Sequence, residues 1–90
     1  MKLRINASTP VLRRYLEVDE ASVVYCEGET ASVGGLHRID YKDIDGVLRD
    51  HALLSIQVGR EIYKLPYVQA NREHAQAVTM LVDGCRRTRA

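Results

Sequence analysis

Three histidines, His37, His51 and His74, and two cysteines, Cys26 and Cys85, are the side chains best suited to hold a metal or to pair a nucleophile with a base. Zinc sites bring such residues in short pairs, two to four positions apart in a loop or turn. These five residues have no such spacing, and neither cysteine sits in a C-x-x-C unit. Ser and Cys nucleophiles need local context such as G-x-S-x-G, which is missing. Asp40, Asp43, Asp45 and Asp50 form an acidic run, but Lys42 and Arg49 interrupt it and the EF-hand spacing is absent, so a solvated turn is expected. Gly34-Gly35 lacks the G-x-x-x-x-G-K-[ST] spacing of a phosphate loop and reads as a strand connection. The remaining candidate is basic. Arg13 and Arg14 near one end, with Arg86 and Arg87 near the other, could form an anion patch if the fold brings them together. No aromatic residues interleave them, which disfavours a platform for single-stranded nucleic acid. Catalysis, a cofactor and a resident metal are not expected.

Those residues must be positioned by elements that alternate with period two over the first two-thirds of the chain. Leu3 and Ile5 alternate with Lys2 and Arg4; Leu12, Leu16 and Val18 share one face, with Arg13 and Glu17 on the other. Asp19-Glu20 reads as a turn, and Ser22–Cys26 is a β-branched and aromatic run. A loop is predicted from Glu27 to Gly35. Ile39 and Tyr41 then alternate with Arg38 and Asp40, and Ile44, Val47 and Leu48 restart an apolar segment. Leu53–Leu65 reads as a hairpin, with Gly59-Arg60 as a type II′ turn. Pro66 cannot donate to a ladder, so an exposed sheet edge is expected beside it.

Beyond Pro66 the period becomes helical. Asn71 is a suitable N-cap, and Val78, Leu81, Val82 and Cys85 form one stripe that Ala75 extends. The helix is predicted over about 71–85, with Gly84 ending it as a left-handed cap and a basic tail over 86–90. Charge is blocked. Residues 1–14 carry Lys2, Arg4, Arg13 and Arg14 and no acid, and residues 15–33 carry Glu17, Asp19, Glu20, Glu27 and Glu29 and no base. If these segments pair, opposite charges face each other across the ladder.

With 90 residues, a net charge of +1 and no Phe or Trp, the chain reads as one domain over 1–90, with an aliphatic core and five tyrosines at its rim. Its charge supplies no global attraction to nucleic acid. No apolar run approaches the ~20 residues that span a bilayer, and a cytoplasmic location is expected. The two cysteines are read as small buried residues and not as a disulfide.

This order of short strands and a closing helix, with the stretch Arg38-Ile39-Asp40-Tyr41-Lys42-Asp43-Ile44-Asp45-Gly46-Val47, resembles the bacterial PH-like (pleckstrin-homology-like) domains. The resemblance implies an α+β, mainly β fold. It would have two antiparallel sheets of about seven strands, forming a bent, partly open barrel closed by one C-terminal amphipathic helix. It also implies a non-catalytic binding or assembly module that makes protein–protein contacts or homo-oligomers. Relatives that bind inositol phosphates use basic residues around the first hairpin loop, which would here be the acidic Asp19-Glu20. A peripheral binder of anionic lipid or phosphate, using the terminal arginines, is the alternative, and a small enzyme is a more distant one.

Overall fold

The alternating segments form seven strands: β1 (Leu3–Asn6), β2 (Leu12–Val18), β3 (Ser22–Glu29), β4 (Leu36–Asp40), β5 (Gly46–Arg49), β6 (Leu53–Val58) and β7 (Glu61–Pro66). A single 3-10 turn, Tyr41–Asp43, separates β4 from β5, and one helix, α1 (Arg72–Arg89), follows β7. This computed structural model describes residues 1–29, 34–50 and 52–89, so His51 lies outside the described residues. All strand pairings are antiparallel, in the orders β1-β2-β3-β4 and β5-β6-β7. The fold is therefore α+β and mainly β, with sheets of four and three strands and one C-terminal helix. The two sheets do not close into a barrel, because no ladder joins them among the described residues.

Alternation sets the core. Ile5, Leu16, Val18 and Val23 of the first sheet and Leu54, Ile56 and Leu65 of the second are almost fully buried, as are Ala77, Val78 and Leu81 of α1. The helix packs mainly on β1, β2 and the 3-10 turn. Blocked charge also resolves as cross-strand pairs. Arg4 lies opposite Glu17 in the β1–β2 register and pairs with it at 2.5 Å, and Arg14 lies opposite Glu27 with Nε 3.8 Å from its carboxylate. Asn71 caps α1 by accepting the His74 backbone N–H at 3.1 Å. At the β6–β7 turn Gly59 has φ +60° and no non-glycine residue has a positive φ among the described residues, which fits type II′ and excludes type I′.

Several expectations are corrected. Strand β3 runs through Glu29 instead of yielding to a loop at Glu27, because Leu12, Arg13 and Arg14 of β2 stand opposite Glu29, Gly28 and Glu27. The first hairpin loop is the β1–β2 connection over 7–11. Asp19-Glu20 belongs to the second hairpin, where the Asp19 carboxylate accepts the Ala21 and Ser22 N–H groups at 2.8 Å. The helix does not stop at Gly84. It continues to Arg89, so Arg86 and Arg87 belong to its last turns and not to a tail. The buried stripe is also rotated from the predicted one. Ala77 and Gly84 are buried, Ala75 is exposed, and Val82 and Cys85 are half-buried. Gly84 is buried because the Tyr41 ring lies against it: a Cβ built at Gly84 would sit 2.3 Å from a ring carbon.

Candidate functional site

Two open sheets leave four edge strands, and an edge strand presents unpaired N–H and C=O groups at every second residue. Which residues these are follows from the pairs that close each ladder. Ala7 N–H bonds to Arg14 C=O, which turns Arg4 of β1 outward, and its N–H is taken at 3.1 Å by the Glu73 carboxylate in the first turn of α1. Tyr67 N–H bonds to Ala52 C=O, which turns Ile62, Lys64 and Pro66 of β7 outward. The Lys64 carbonyl is occupied by the Arg14 guanidinium and lies 3.1 Å from the Tyr25 hydroxyl, and Pro66 has no N–H to offer. The edge expected to be open beside Pro66 is thus an edge, blocked at the Lys64 carbonyl and lacking an N–H at Pro66, while among the described residues the outward Ile62 backbone groups have no hydrogen-bond partner.

Strand β5 is different. Asp50 N–H bonds to Leu53 C=O, so Leu48 faces β6 and the backbone groups of Val47 and Arg49 face away from it. Among the described residues nothing accepts from or donates to them. The outward edge of β5 borders α1. One cavity of about 190 Å³ lies between Ile44, Gly46 and Val47 on one side and Val82, Cys85 and Arg86 on the other. A second, of about 480 Å³, is lined by Arg49, Asp50 and Tyr67 together with Ala75, Val78 and Thr79. Arg49 thus faces the first half of the helix and Gly46 faces the second, so β5 and α1 form the two walls of one groove. The smaller cavity is mainly apolar, with Val47, Val82 and Cys85, and the larger is mixed, with Arg49, Asp50, Gln69 and Thr79 beside Tyr67 and Val78. Strand β4 also turns Leu36 and Arg38 outward, but neither lines a cavity with α1.

The four arginines of the expected patch are dispersed. Neighbours along a strand face opposite ways, so Arg13 and Arg14 leave β2 on different faces. Arg13 donates to the Gly34 carbonyl at 3.3 Å, and Arg14 is held by Lys64 and Glu27. Arg87 lines cavities with Glu20, at the far end of β2 from Arg14, about 17–20 Å away along the strand. Arg86 faces the β5 groove.

Arg14 instead belongs to a polar and aromatic cluster between the sheets, with Tyr25, Glu27, His37 and Tyr63. The Tyr25 and Tyr63 rings lie 5.1 Å apart, and His37 lies 5.4 Å from Tyr63. Burial, and then its hydrogen bond to Glu27, push the Tyr25 hydroxyl pKa up; burial and Glu61 do the same for Tyr63. These shifts keep both phenols neutral as hydrogen-bond donors, and Glu27 offsets Arg14, while Lys64 also lines the cavity. The cluster joins the sheets through Arg14 and Tyr25, which both reach the Lys64 carbonyl. His74 Nδ1 accepts the Val68 N–H at 3.0 Å, which is a capping role. The acidic run is also used locally: Asp45 accepts the Gly59 N–H at 2.6 Å, and Asp50 accepts those of Ala52 and Leu53. Among the described residues no three His, Cys, Asp or Glu side chains gather around a point that could hold a metal ion. Cys26 is fully buried on the outer face opposite Tyr15, and Cys85 is half-buried; among the described residues neither is in a disulfide.

A cavity of about 690 Å³ runs along α1 beside Met1 and Leu3 and is lined by two acids and two bases without a convergent polar group. Among the described residues no helix is long and apolar enough to cross a membrane. Comparison with protein families, curated proteins and solved structures finds no match. The β5 groove was not legible as a site in the sequence. Its only local signal is a short strand bounded by Asp45 and Asp50, and the facing helix begins more than twenty residues further along the chain.

Proposed function

We propose that the chain is a PH-like, non-catalytic protein-interaction module that takes an extended segment of a partner onto the β5 edge, in the groove beside α1. The observation that carries this reading is the pair of outward-turned, unoccupied backbone units at Val47 and Arg49, set against the side of the helix that carries Val78, Val82 and Cys85. An added strand would gain main-chain hydrogen bonds there, and alternate side chains would enter the groove. The 4+3 strand arrangement with its C-terminal helix supports the PH-like assignment.

Self-pairing through β5 is disfavoured on geometry. Asp45 N–H bonds to the Gln57 carbonyl although Gln57 stands opposite Gly46, which marks a bulge at the start of a four-residue strand. Bulges and short edges impede pairing between two copies. The chain is expected to be monomeric by light scattering. An anion-binding role finds less support, since Arg14 is internally paired and the other three arginines lie apart.

Selection from a random-peptide display library against the whole chain tests the reading. Extended ligands with apolar residues at alternate positions are expected, and Val47→Pro, which removes an outward N–H without touching the β6 ladder, should abolish their binding while the fold persists by circular dichroism. Ligands indifferent to Val47→Pro would place the interface elsewhere.

A further inference from the structure

The β5 groove carries charge information beyond its open edge. Arg49 borders one of its cavities and Arg86 the other. Neither arginine side chain forms an ion pair or hydrogen bond with any described residue. The nearby carboxylates are committed to backbone: Asp45 to the Gly59 N–H, and Asp50 to the N–H groups of Ala52 and Leu53. Between the two arginines lies the apolar pocket of Ile44, Val47, Val82 and Cys85.

The lengths of the two walls agree. From Val78, which shares a cavity with Arg49, to Cys85, which shares one with Gly46, the helix advances about 10 Å at ~1.5 Å per residue. From Arg49 to Gly46 the strand covers about 10 Å at ~3.3 Å per residue. An added strand therefore passes both arginines within about four or five of its own residues, and its same-face side chains recur every second position.

We infer that the partner segment is acidic: a carboxylate, an apolar side chain two residues later and a second carboxylate two residues after that, all on the face turned into the groove. The apolar side chain fills the pocket between Val47 and Val82, and the flanking carboxylates meet Arg49 and Arg86. This inference rests on the β5-edge reading and adds to it the chemical class of the ligand.

Synthetic peptides test it with the full chain. The probe is a capped peptide with Asp-Thr-Val-Thr-Asp at its centre, and the control replaces both aspartates with asparagine. Binding is measured by titration calorimetry or by amide chemical shifts at Val47 and Arg49. The acidic peptide is expected to bind about tenfold more tightly than the asparagine control at low salt, and the advantage should shrink as salt screens the exposed pairs. Arg49→Gln and Arg86→Gln should each reduce binding of the acidic peptide several-fold and that of the asparagine control by much less. Both are exposed positions, so the fold should survive either change. If acidic and asparagine peptides bind equally and both lose binding in Val47→Pro, the acidic preference is refuted and the β5-edge reading stands. If neither peptide binds and no display-selected ligand responds to Val47→Pro, the edge reading falls and the preference falls with it.

Discussion

At the residue scale the tyrosines show how one side-chain type serves several ends. Tyr41 is buried against Gly84 and donates its hydroxyl to the Asp19 carbonyl at 2.6 Å, which ties the 3-10 turn to the β2–β3 turn. Tyr67 does the same at the other end of the helix, donating to the Asp50 carbonyl at 2.5 Å. Burial, with Cys85 nearby, pushes the Tyr41 pKa from 10.0 up to about 12. The folded state thus holds the neutral phenol more firmly than the unfolded chain does. Tyr41's contribution to stability is fully present below pH 10 and is lost as pH rises through about 12. Wild type should therefore exceed Tyr41→Phe by about 1 kcal/mol at neutral pH, the worth of one hydrogen bond. That difference should vanish across the alkaline window in denaturant melts. A difference that is constant with pH would show that the hydroxyl is not buried as described. The tyrosines were expected at the rim of an aliphatic core, but Tyr25, Tyr41 and Tyr67 are buried within it, and their carbonyl partners were not legible either, because Asp19 and Tyr41 are joined only by folding.

At the element scale α1 shows where propensity and packing conflict. Glycine within a helix costs about 1 kcal/mol relative to alanine, and Gly84 reads locally as a terminator. It stands inside the helix because the Tyr41 ring occupies the space of its side chain. Gly84→Ala is therefore expected to destabilise the protein by about 1–3 kcal/mol, the usual cost of overpacking, instead of stabilising it by helix propensity. Thermal unfolding decides the sign. In a Tyr41→Ala background, with the ring removed, the same Gly84→Ala change should become neutral or stabilising. The helix itself, its Asn71 cap and most of its buried face were legible from period and capping chemistry. Its last turn and the rotation of its stripe were not, because both depend on which small residues meet the 3-10 turn.

At the scale of the whole molecule the two sheets communicate through few groups, and Arg14 is the clearest of them. Its guanidinium, from β2, occupies the Lys64 carbonyl on β7, with Tyr25 beside it. Arg14→Met should keep the packing of the stem while removing the link. The expected cost is about 1 kcal/mol, reduced by partial solvent exposure. Amide exchange should speed up at Tyr63 and Leu65 of β7 more than at β2 and β3, and a uniform change across both sheets would contradict the latch. The sequence by itself determined the strands, their two-residue period, the hairpin at Gly59 and the amphipathic helix, because each rests on residues within a few positions of one another. Cross-strand charge pairing was also foreseeable from the blocks of basic and acidic residues. Only the tertiary structure decided which edges stay open. Glu73 takes one N–H of β1 from sixty-nine residues beyond Arg4, and Arg14 takes one carbonyl of β7 from fifty residues before Lys64. It also dispersed the four arginines, because alternation along β2 splits one pair while the helix carries the other pair elsewhere. A groove needs two walls, and β5 and α1 become neighbours only when the helix lies down across the sheets.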